Sequence, residues 1–399
     1  MEKQYPIDIA DMLLPENDCA CGVKIMRFSA SKLSARVFDR KNRDGNLTPY
    51  YEYKDTAMSR LSHFKPEWIK ELRLVDDSNP DNPDVIYNNG HFMHQMTFFI
   101  GPVNFYYEVD GKKHCTEMNT GDSNYITPFF KHSFTSRDKN QLSLIIAVTF
   151  GGDVRRAQKE LYALGTTATQ EYALDYRDAY TAETQLIKQH LNNENITLDG
   201  LQELIDQQGL SLDISKLMDK NCAKSPQDLK ILAKLLHVDV NDFMITQYKP
   251  EEEVVVKKLL EQDGYFYPSK QQPCYKIYPL ARTTKMPLVK GFNIIVLSQE
   301  GSIEHAFVSS LQQYIYNYGQ HPVKITWLYE EMEYSKLLDI GDSCFILPFV
   351  KHYFTNTANG NASLVNIRVS GAVNLSTQRE LSYLSSVDRV AYEKTKWFN

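Results

Sequence analysis

A mainly β protein with an α-helical insert is the fold class this sequence predicts: two small β-barrels or jelly rolls with a compact helical unit between them. The first observation is an internal repeat. Gly121-Asp-Ser-Asn-Tyr-Ile-Thr-Pro128-Phe-Phe-Lys-His132-Ser-Phe-Thr returns as Gly341-Asp-Ser-Cys-Phe-Ile-Leu-Pro-Phe-Val-Lys-His352-Tyr-Phe-Thr at a constant offset of 220. The same offset carries Gly151 onto Gly371 and Gln158-Lys-Glu-Leu161 onto Gln378-Arg-Glu-Leu381. The second observation is a series of short Val-, Ile-, Tyr- and Phe-rich runs broken by Gly, Pro and Asp turns, for which a closed barrel or jelly roll is the economical solution. The third is a change to helical spacing from Val154 onward, which lasts until the β pattern resumes after residue 250.

The chain has 399 residues, room for two or three domains, and 42% hydrophobic residues to fill their cores. Its 25 Tyr and 19 Phe favour sheet, where flat side chains pack on a pleated surface. A net charge of −6 makes the molecule as a whole a poor polyanion binder. The N-terminal residues lack a signal-type apolar core, and no run approaches the length of a membrane span, so a cytoplasmic protein is expected. Six scattered cysteines form no zinc or disulfide pattern and are expected to be reduced.

In chain order, residues 1–153 form the first barrel. Asp76-Asp-Ser-Asn-Pro80-Asp-Asn-Pro83 is a loop, and strands are expected at Val85–Tyr87, Met93–Ile100, Asn104–Val109, Ser123–Thr127, His132–Thr135 and Leu142–Val148. Asp110-Gly111 is a hairpin signal between two of them. Residues 154–190 form a helical linker, and residues 191–250 resemble a helix-turn-helix, with Thr197 and Ser211 as N-caps, Gly209 in the turn and Ser225-Pro-Gln-Asp228 opening a further helix. Between residues 195 and 244 this unit carries eight acids and five lysines, with no arginine. Such a unit is badly equipped for phosphate contacts and guanine readout, so a structural role is expected and nucleic acid is not. Glu251-Glu-Glu-Val-Val-Val-Lys-Lys reads as a charged helical connector, and residues 251–399 form the second barrel with a closing helix.

Upstream of the repeated block, a shift of two residues carries His91 onto Ser309, Gln95 onto Gln313 and Gly101 onto Gly319. The second copy keeps Gln313 and His352 but loses one histidine, so it is expected to hold metal poorly. Residues common to both copies (Gly121, Asp122, Pro128) serve the fold, whereas His91 and Asn88, present only in the first, are candidates for chemistry.

On a strand, residues 91, 93 and 95 share a face and His94 lies on the other. Four strand residues span about 13 Å, so the chain must bend for His91 and Gln95 to meet at one ion. Together with His132, returned by a later strand, they make a site of two imidazoles and one oxygen donor. A site of that kind leaves open positions, as non-haem Fe(II) centres do. The bland alternative is that these are unrelated strand residues.

The pattern Asn88-Asn-Gly-His91-x3-Gln95 with Gly121-Asp-Ser…His132 resembles the phosphonate-processing non-haem iron enzymes of the cupin superfamily, over nearly the whole chain. The resemblance implies a double cupin, an Fe(II) cofactor held by His91, Gln95 and His132, and a phosphonate pocket formed by Arg43, Tyr51 and Asn88, with Tyr53 as the alternative to Tyr51. A guanidinium fork, a phenol and an amide can satisfy the oxygens of a dianion. In some relatives the third ligand is a carboxylate from the strand of Gly121, where this chain has Ile126; in others it is a Glu at the place of Gln95. Members with Gln there and an aliphatic residue at the other position make methylphosphonate. The expected reaction is therefore Fe(II)- and O2-dependent C–C cleavage of 2-hydroxyethylphosphonate to methylphosphonate without 2-oxoglutarate, in a homo-oligomer. Dioxygenase chemistry giving hydroxymethylphosphonate and formate is the alternative, and a ligand-binding transcription regulator is the reading from another class. Relatives also bring a lysine from a helix-turn-helix unit into an active site; Asn195 stands where that lysine would be expected.

Overall fold

A computed structural model describes residues 16–245, 249–360 and 362–392. Strands of the first half are β1 (Val23–Met26), β2 (Arg36–Lys41), β3 (Leu47–Asp55), β4 (Phe64–Glu71), β5 (His94–Ile100), β6 (Val103–Val109), β7 (Lys112–Met118), β8 (Ser123–Ile126), β9 (His132–Ser136) and β10 (Leu144–Phe150). Those of the second half are β11 (Val254–Lys257), β12 (Tyr265–Pro268), β13 (Pro273–Pro279), β14 (Val289–Val296), β15 (Gln312–Asn317), β16 (Val323–Tyr329), β17 (Met332–Leu338), β18 (Ser343–Ile346), β19 (Lys351–Asn356) and β20 (Ala362–Val369). Each barrel pairs a seven-stranded sheet with a three-stranded one: β11-β8-β5-β10-β4-β3-β2 with β7-β6-β9, and β1-β18-β15-β20-β14-β13-β12 with β17-β16-β19. The mainly β double barrel with a helical insert is what the sequence predicts.

Two strands cross the expected limits at 153 and 251. β1 adds to the second barrel along β18, pairing Val23 with Ile346 and Met26 with Ser343, while β11 adds to the first along β8, pairing Val254 with Ile126 and Lys257 with Ser123. The repeated Gly-Asp-Ser explains the exchange. Asp122 accepts from the backbone N–H of Leu259 at 2.8 Å and from Lys258 Nζ at 3.2 Å. Asp342 accepts from Phe28 N–H at 2.8 Å and from Arg27 Nη1 at 2.5 Å. The serine that follows accepts from the other half of the chain as well, Ser123 from Ala281 N–H and Ser343 from Ala57 N–H, both at 2.8 Å. Residues 251–258 are thus a short 3-10 turn and a strand rather than a helical connector, because three consecutive valines favour the pleated sheet and β8 offers a free edge.

One compact unit takes both barrels, through Arg155 and from Glu253 onward; Arg156–Glu252 is the other. In the first unit, alternation along the strands serves two cores. Met96 and Phe98 of β5 pack with Tyr314, Phe345 and Ile367 of the second barrel, while Phe99 joins Ile126, Ile145 and Ala147 inside the first. Full burial of side chains of this size contributes about 1.5–3 kcal/mol each. The hairpin expected at Asp110-Gly111 is present, both residues having positive φ (51° and 72°). Val85–Tyr87 is irregular rather than a strand, and β7, half of it charged at a sheet edge, is an addition to the sequence reading.

The second unit has its own core, including Ile187, Leu191, Leu201, Ile205, Leu232 and Phe243. Thr197 and Ser225 cap helices Leu198–Gln207 and Pro226–Leu235 as expected, but the cap of the helix Ile214–Leu217 is Asp213, which accepts from Lys216 N–H, and not Ser211. A carboxylate two residues nearer the helix outcompetes the serine hydroxyl. Asn195 follows the end of helix Ala179–Asn193 with φ 56°, the left-handed position where Asn is second only to Gly. Its place is explained by helix termination.

Candidate metal centre

His91, Gln95 and His132 converge inside the first barrel. Phe92 and Met93 form the bend that the spacing demands, and β5 begins after it. Gly90 sets up that bend: its φ is 73°, and a side chain there would strike the Phe129 carbonyl at 2.4 Å. Phe129 N–H then donates to the His91 carbonyl at 2.9 Å, tying the bend to the loop before β9.

His91 Nε2 lies 3.2 Å from Gln95 Oε1, and the His91 and His132 rings stand edge to face with centroids 5.1 Å apart. Gln95 Nε2 donates to Thr97 Oγ1 at 2.9 Å, which turns its carbonyl oxygen toward the histidines. His132 Nδ1–H donates to the Phe130 carbonyl at 2.9 Å, so Nε2 carries the lone pair. Burial pulls the His132 pKa down to about 4, keeping Nε2 unprotonated at neutral pH. His91 Nδ1 is buried without a hydrogen-bond partner among the described residues. Two imidazole nitrogens and one oriented amide oxygen fit an octahedral ion with open positions. Among the described residues no group of three His, Cys, Asp or Glu could hold a metal ion, and the oxygen beside the two imidazoles is the Gln95 amide. Ile126 is the β8 residue paired with Gln95 and is fully buried.

His94 lies on the opposite face, as the alternation predicts. Its Nδ1 is hydrogen-bonded with Tyr125 Oη at 2.9 Å, and the ring stacks on Phe150 with an interplanar angle of 8°. Burial holds its pKa at about 4, in accord with a packed, neutral ring.

A cavity of about 150 Å3 opens onto the triad, lined also by Arg40, Tyr51, Tyr53, Asn88 and Thr149. Asn88 is held by backbone bonds with His132: its N–H donates to the His132 carbonyl and its Oδ1 accepts from His132 N–H, both at 3.0 Å. That places Asn88 Nδ2 3.0 Å from His132 Nε2, within reach of anything bound there. Tyr51 lines the cavity, but its hydroxyl is engaged by Ser133 Oγ at 3.2 Å and Phe134 N–H at 3.0 Å. The Tyr53 hydroxyl has no such partner among the described residues and faces the same cavity, so Tyr53 is the phenol free to meet a ligand.

Arg43 does not line the cavity. It sits in the turn after β2, where Asn42 N–H reaches the Asn46 carbonyl at 2.9 Å, and its Nε and Nη2 pair with Asp84 at 2.6 and 2.5 Å. Arg40 supplies the cavity's guanidinium instead. At the Phe38/Asp39 step the partner moves from Tyr51 to Pro49, so the extra residue of the bulge is Tyr50 on β3, and Arg40 follows Arg36 and Phe38 in the alternation of β2. No sequence signal marks that bulge. Thr149 could have been found, because β10 runs into the repeated Gly151 and sets Thr149 opposite Gln95.

No family model matches the sequence. The chain is 38% identical over 404 residues to methylphosphonate synthase from Nitrosopumilus maritimus (strain SCM1), spanning 99% of this chain and 84% of that protein. Among solved structures, Streptomyces albus 2-hydroxyethylphosphonate dioxygenase with 2-hydroxyethylphosphonate and Fe(II) bound matches with a TM-score of 0.88 and 31% identity, over 100% of this chain and 87% of that one. PhpD with cadmium and hydroxyethylphosphonate shares the fold at 14% identity, with a TM-score of 0.73 over 96% of this chain and 85% of that one.

Proposed function

The chain belongs to the family of methylphosphonate synthase and 2-hydroxyethylphosphonate dioxygenase, and on that premise we propose that it makes methylphosphonate from 2-hydroxyethylphosphonate by Fe(II)- and O2-dependent C–C cleavage. It is a non-haem iron oxygenase acting on hydroxyethylphosphonate. His91, Gln95 and His132 are the proposed iron ligands, and Fe(II) held by them would supply open positions where substrate and O2 meet.

The residues act on charge and position. Gln95 is neutral, so the bound ion keeps its full positive charge toward a phosphonate dianion, unlike a site with a carboxylate in that place. Arg40 and Tyr53 offer donors to the phosphonate oxygens from one side of the cavity, and Asn88 from the side of His132. Phe134, Ile69 and Ile86 exclude water from the wall between them. The single observation that carries the product assignment is the Gln95 carbonyl, turned toward the histidines by Thr97 and backed by Ile126 where a carboxylate would otherwise stand.

Anaerobic Fe(II) reconstitution, exposure to O2 and 31P NMR of a 2-hydroxyethylphosphonate reaction tests it. Methylphosphonate is the expected product; hydroxymethylphosphonate would assign the dioxygenase reaction, and no turnover would reject both. The net charge of −3 between residues 195 and 244 supports a reading without nucleic acid. No helix among the described residues is long and apolar enough to cross a membrane. A cytoplasmic homo-oligomer completes the proposal, checked by light scattering on the purified protein.

A further inference from the structure

The second barrel has a cavity of its own, of about 190 Å3, bounded by Tyr265, Tyr267, Phe292, Ala306, Phe307 and Arg368. Arg368 takes the place of Thr149: β20 sets it opposite Gln313 just as β10 sets Thr149 opposite Gln95. Its guanidinium carbon lies 5.2 Å from the centroid of the Phe292 ring and 5.8 Å from that of Phe307. Its Nε is buried without a hydrogen-bond partner, and no carboxylate pairs with it, among the described residues. Burial lowers its pKa, and the groups that oppose this are the phenols of Tyr265 and Tyr267.

A fixed cation in an aromatic cavity without a counter-charge is an unfavourable arrangement for an empty core. It also tells against a metal there. His352 matches His132 in donating Nδ1–H to a carbonyl, that of Val350 at 2.9 Å, and its Nε2 is buried without a partner among the described residues. Arg368 lies within electrostatic reach of that ring, so a metal ion approaching Nε2 would meet a positive charge. The polar side chains at the cavity are a guanidinium fork and two phenols, all able to donate, of which Tyr267 makes one long bond of 3.4 Å to the Ala306 carbonyl. The walls are aromatic and aliphatic.

We propose that the second barrel binds a small organic oxyanion, a carboxylate or phosphonate with a short hydrocarbon part, seated on Arg368 between Phe292 and Phe307. The site stands independently of the iron reading of the first barrel. Where that barrel sets neutral donors around a cation, this one sets a cation around an anion.

Isothermal titration of the metal-free full chain with propionate, methylphosphonate and inorganic phosphate, at matched ionic strength, tests the proposal. Propionate or methylphosphonate is expected to bind, and the stronger of the two identifies the headgroup. Loss of the charge-assisted bonds in Arg368→Gln should weaken binding by roughly tenfold or more. Ala306→Phe, which fills the cavity and leaves the arginine in place, should weaken it comparably, whereas Arg40→Ala, which removes the guanidinium of the first barrel's cavity, should leave the Arg368-dependent binding in place. No heat from any of the three anions, or binding that survives both Arg368→Gln and Ala306→Phe, would overturn the site. Loss of all binding in Arg40→Ala would move the anion to the first barrel, and phosphate binding as tightly as the organic anions would remove the apolar seat.

Discussion

Gln95 and Gln313 occupy the same register in their barrels, each opposite an isoleucine, Ile126 and Ile346. His132 and His352 each donate Nδ1–H to the carbonyl two residues earlier at 2.9 Å. Even the loop bond recurs, since Phe129 N–H reaches the His91 carbonyl at 2.9 Å and Phe349 N–H reaches the Ser309 carbonyl at 2.7 Å. Against this shared frame several side chains differ: Ser309 stands at the place of His91, the proposed metal donor, Ala306 at that of Asn88, Ile315 at that of Thr97, and Arg368 at that of Thr149, installing a fixed positive charge. The backbone and its Asp122 and Asp342 clamps serve the fold in both copies, so the chemistry of each barrel is set by substitutions that leave the fold alone.

The largest expected effect comes from erasing the difference. His132→Ala or His91→Ala should lower turnover by more than ~100-fold, with loss of bound iron measured by metal analysis. In the other direction, Ser309→His alone should not create a second iron site while Arg368 remains, whereas Ser309→His with Arg368→Thr should. The common frame is tested next. Asp342→Ala removes a carboxylate that is 3% exposed and holds both Arg27 and the Phe28 N–H, and should cost about 2–4 kcal/mol in denaturant unfolding. Asp122→Ala should follow at similar size, and a loss below about 0.5 kcal/mol in both would make the strand exchange incidental.

In the first barrel's cavity, Arg40→Ala should raise KM for 2-hydroxyethylphosphonate roughly tenfold, and Arg43→Ala, at the Asp84 ion pair, less than about twofold. A smaller effect is shared by the buried histidines under acid. Burial, more than the nearby Arg368, holds His352 at about 4 in the folded chain, while an unfolded imidazole titrates near ~6.5. As pH falls through that window the unfolded state takes the proton first, so stability is lost between about 6.5 and 4, at up to about 1.4 kcal/mol per pH unit. His352→Gln should remove one histidine's share of that dependence in thermal unfolding, leaving the shares of His94 and His132.

The repeat made the double barrel legible, because a fixed offset survives where composition alone says only that sheet is favoured. The triad was legible for the same reason: strand alternation put Gln95 and His94 on opposite faces, and the need for a bend at residues 92 and 93 followed from strand length. The exchanged strands were not legible. Val254–Lys257 is short and flanked by charges, and only its partner β8, more than a hundred residues earlier, makes it a strand. Arg40 and Arg43 are close in sequence, but Arg40 lies on β2 in alternation with Arg36 and Phe38 whereas Arg43 lies in the turn beyond the strand, and where β2 ends decides between them. Ser211 and Asp213 are both good capping residues, and which of them caps the helix depends on where its first turn closes.

The account stands on one barrel holding iron and the other excluding it, and anaerobic titration of the metal-free full chain with Fe(II) measures this directly. Binding should saturate at one ion per chain, vanish in His132→Ala and persist in His352→Ala. Saturation at two ions, or a single ion that survives His132→Ala and is lost in His352→Ala, would contradict it.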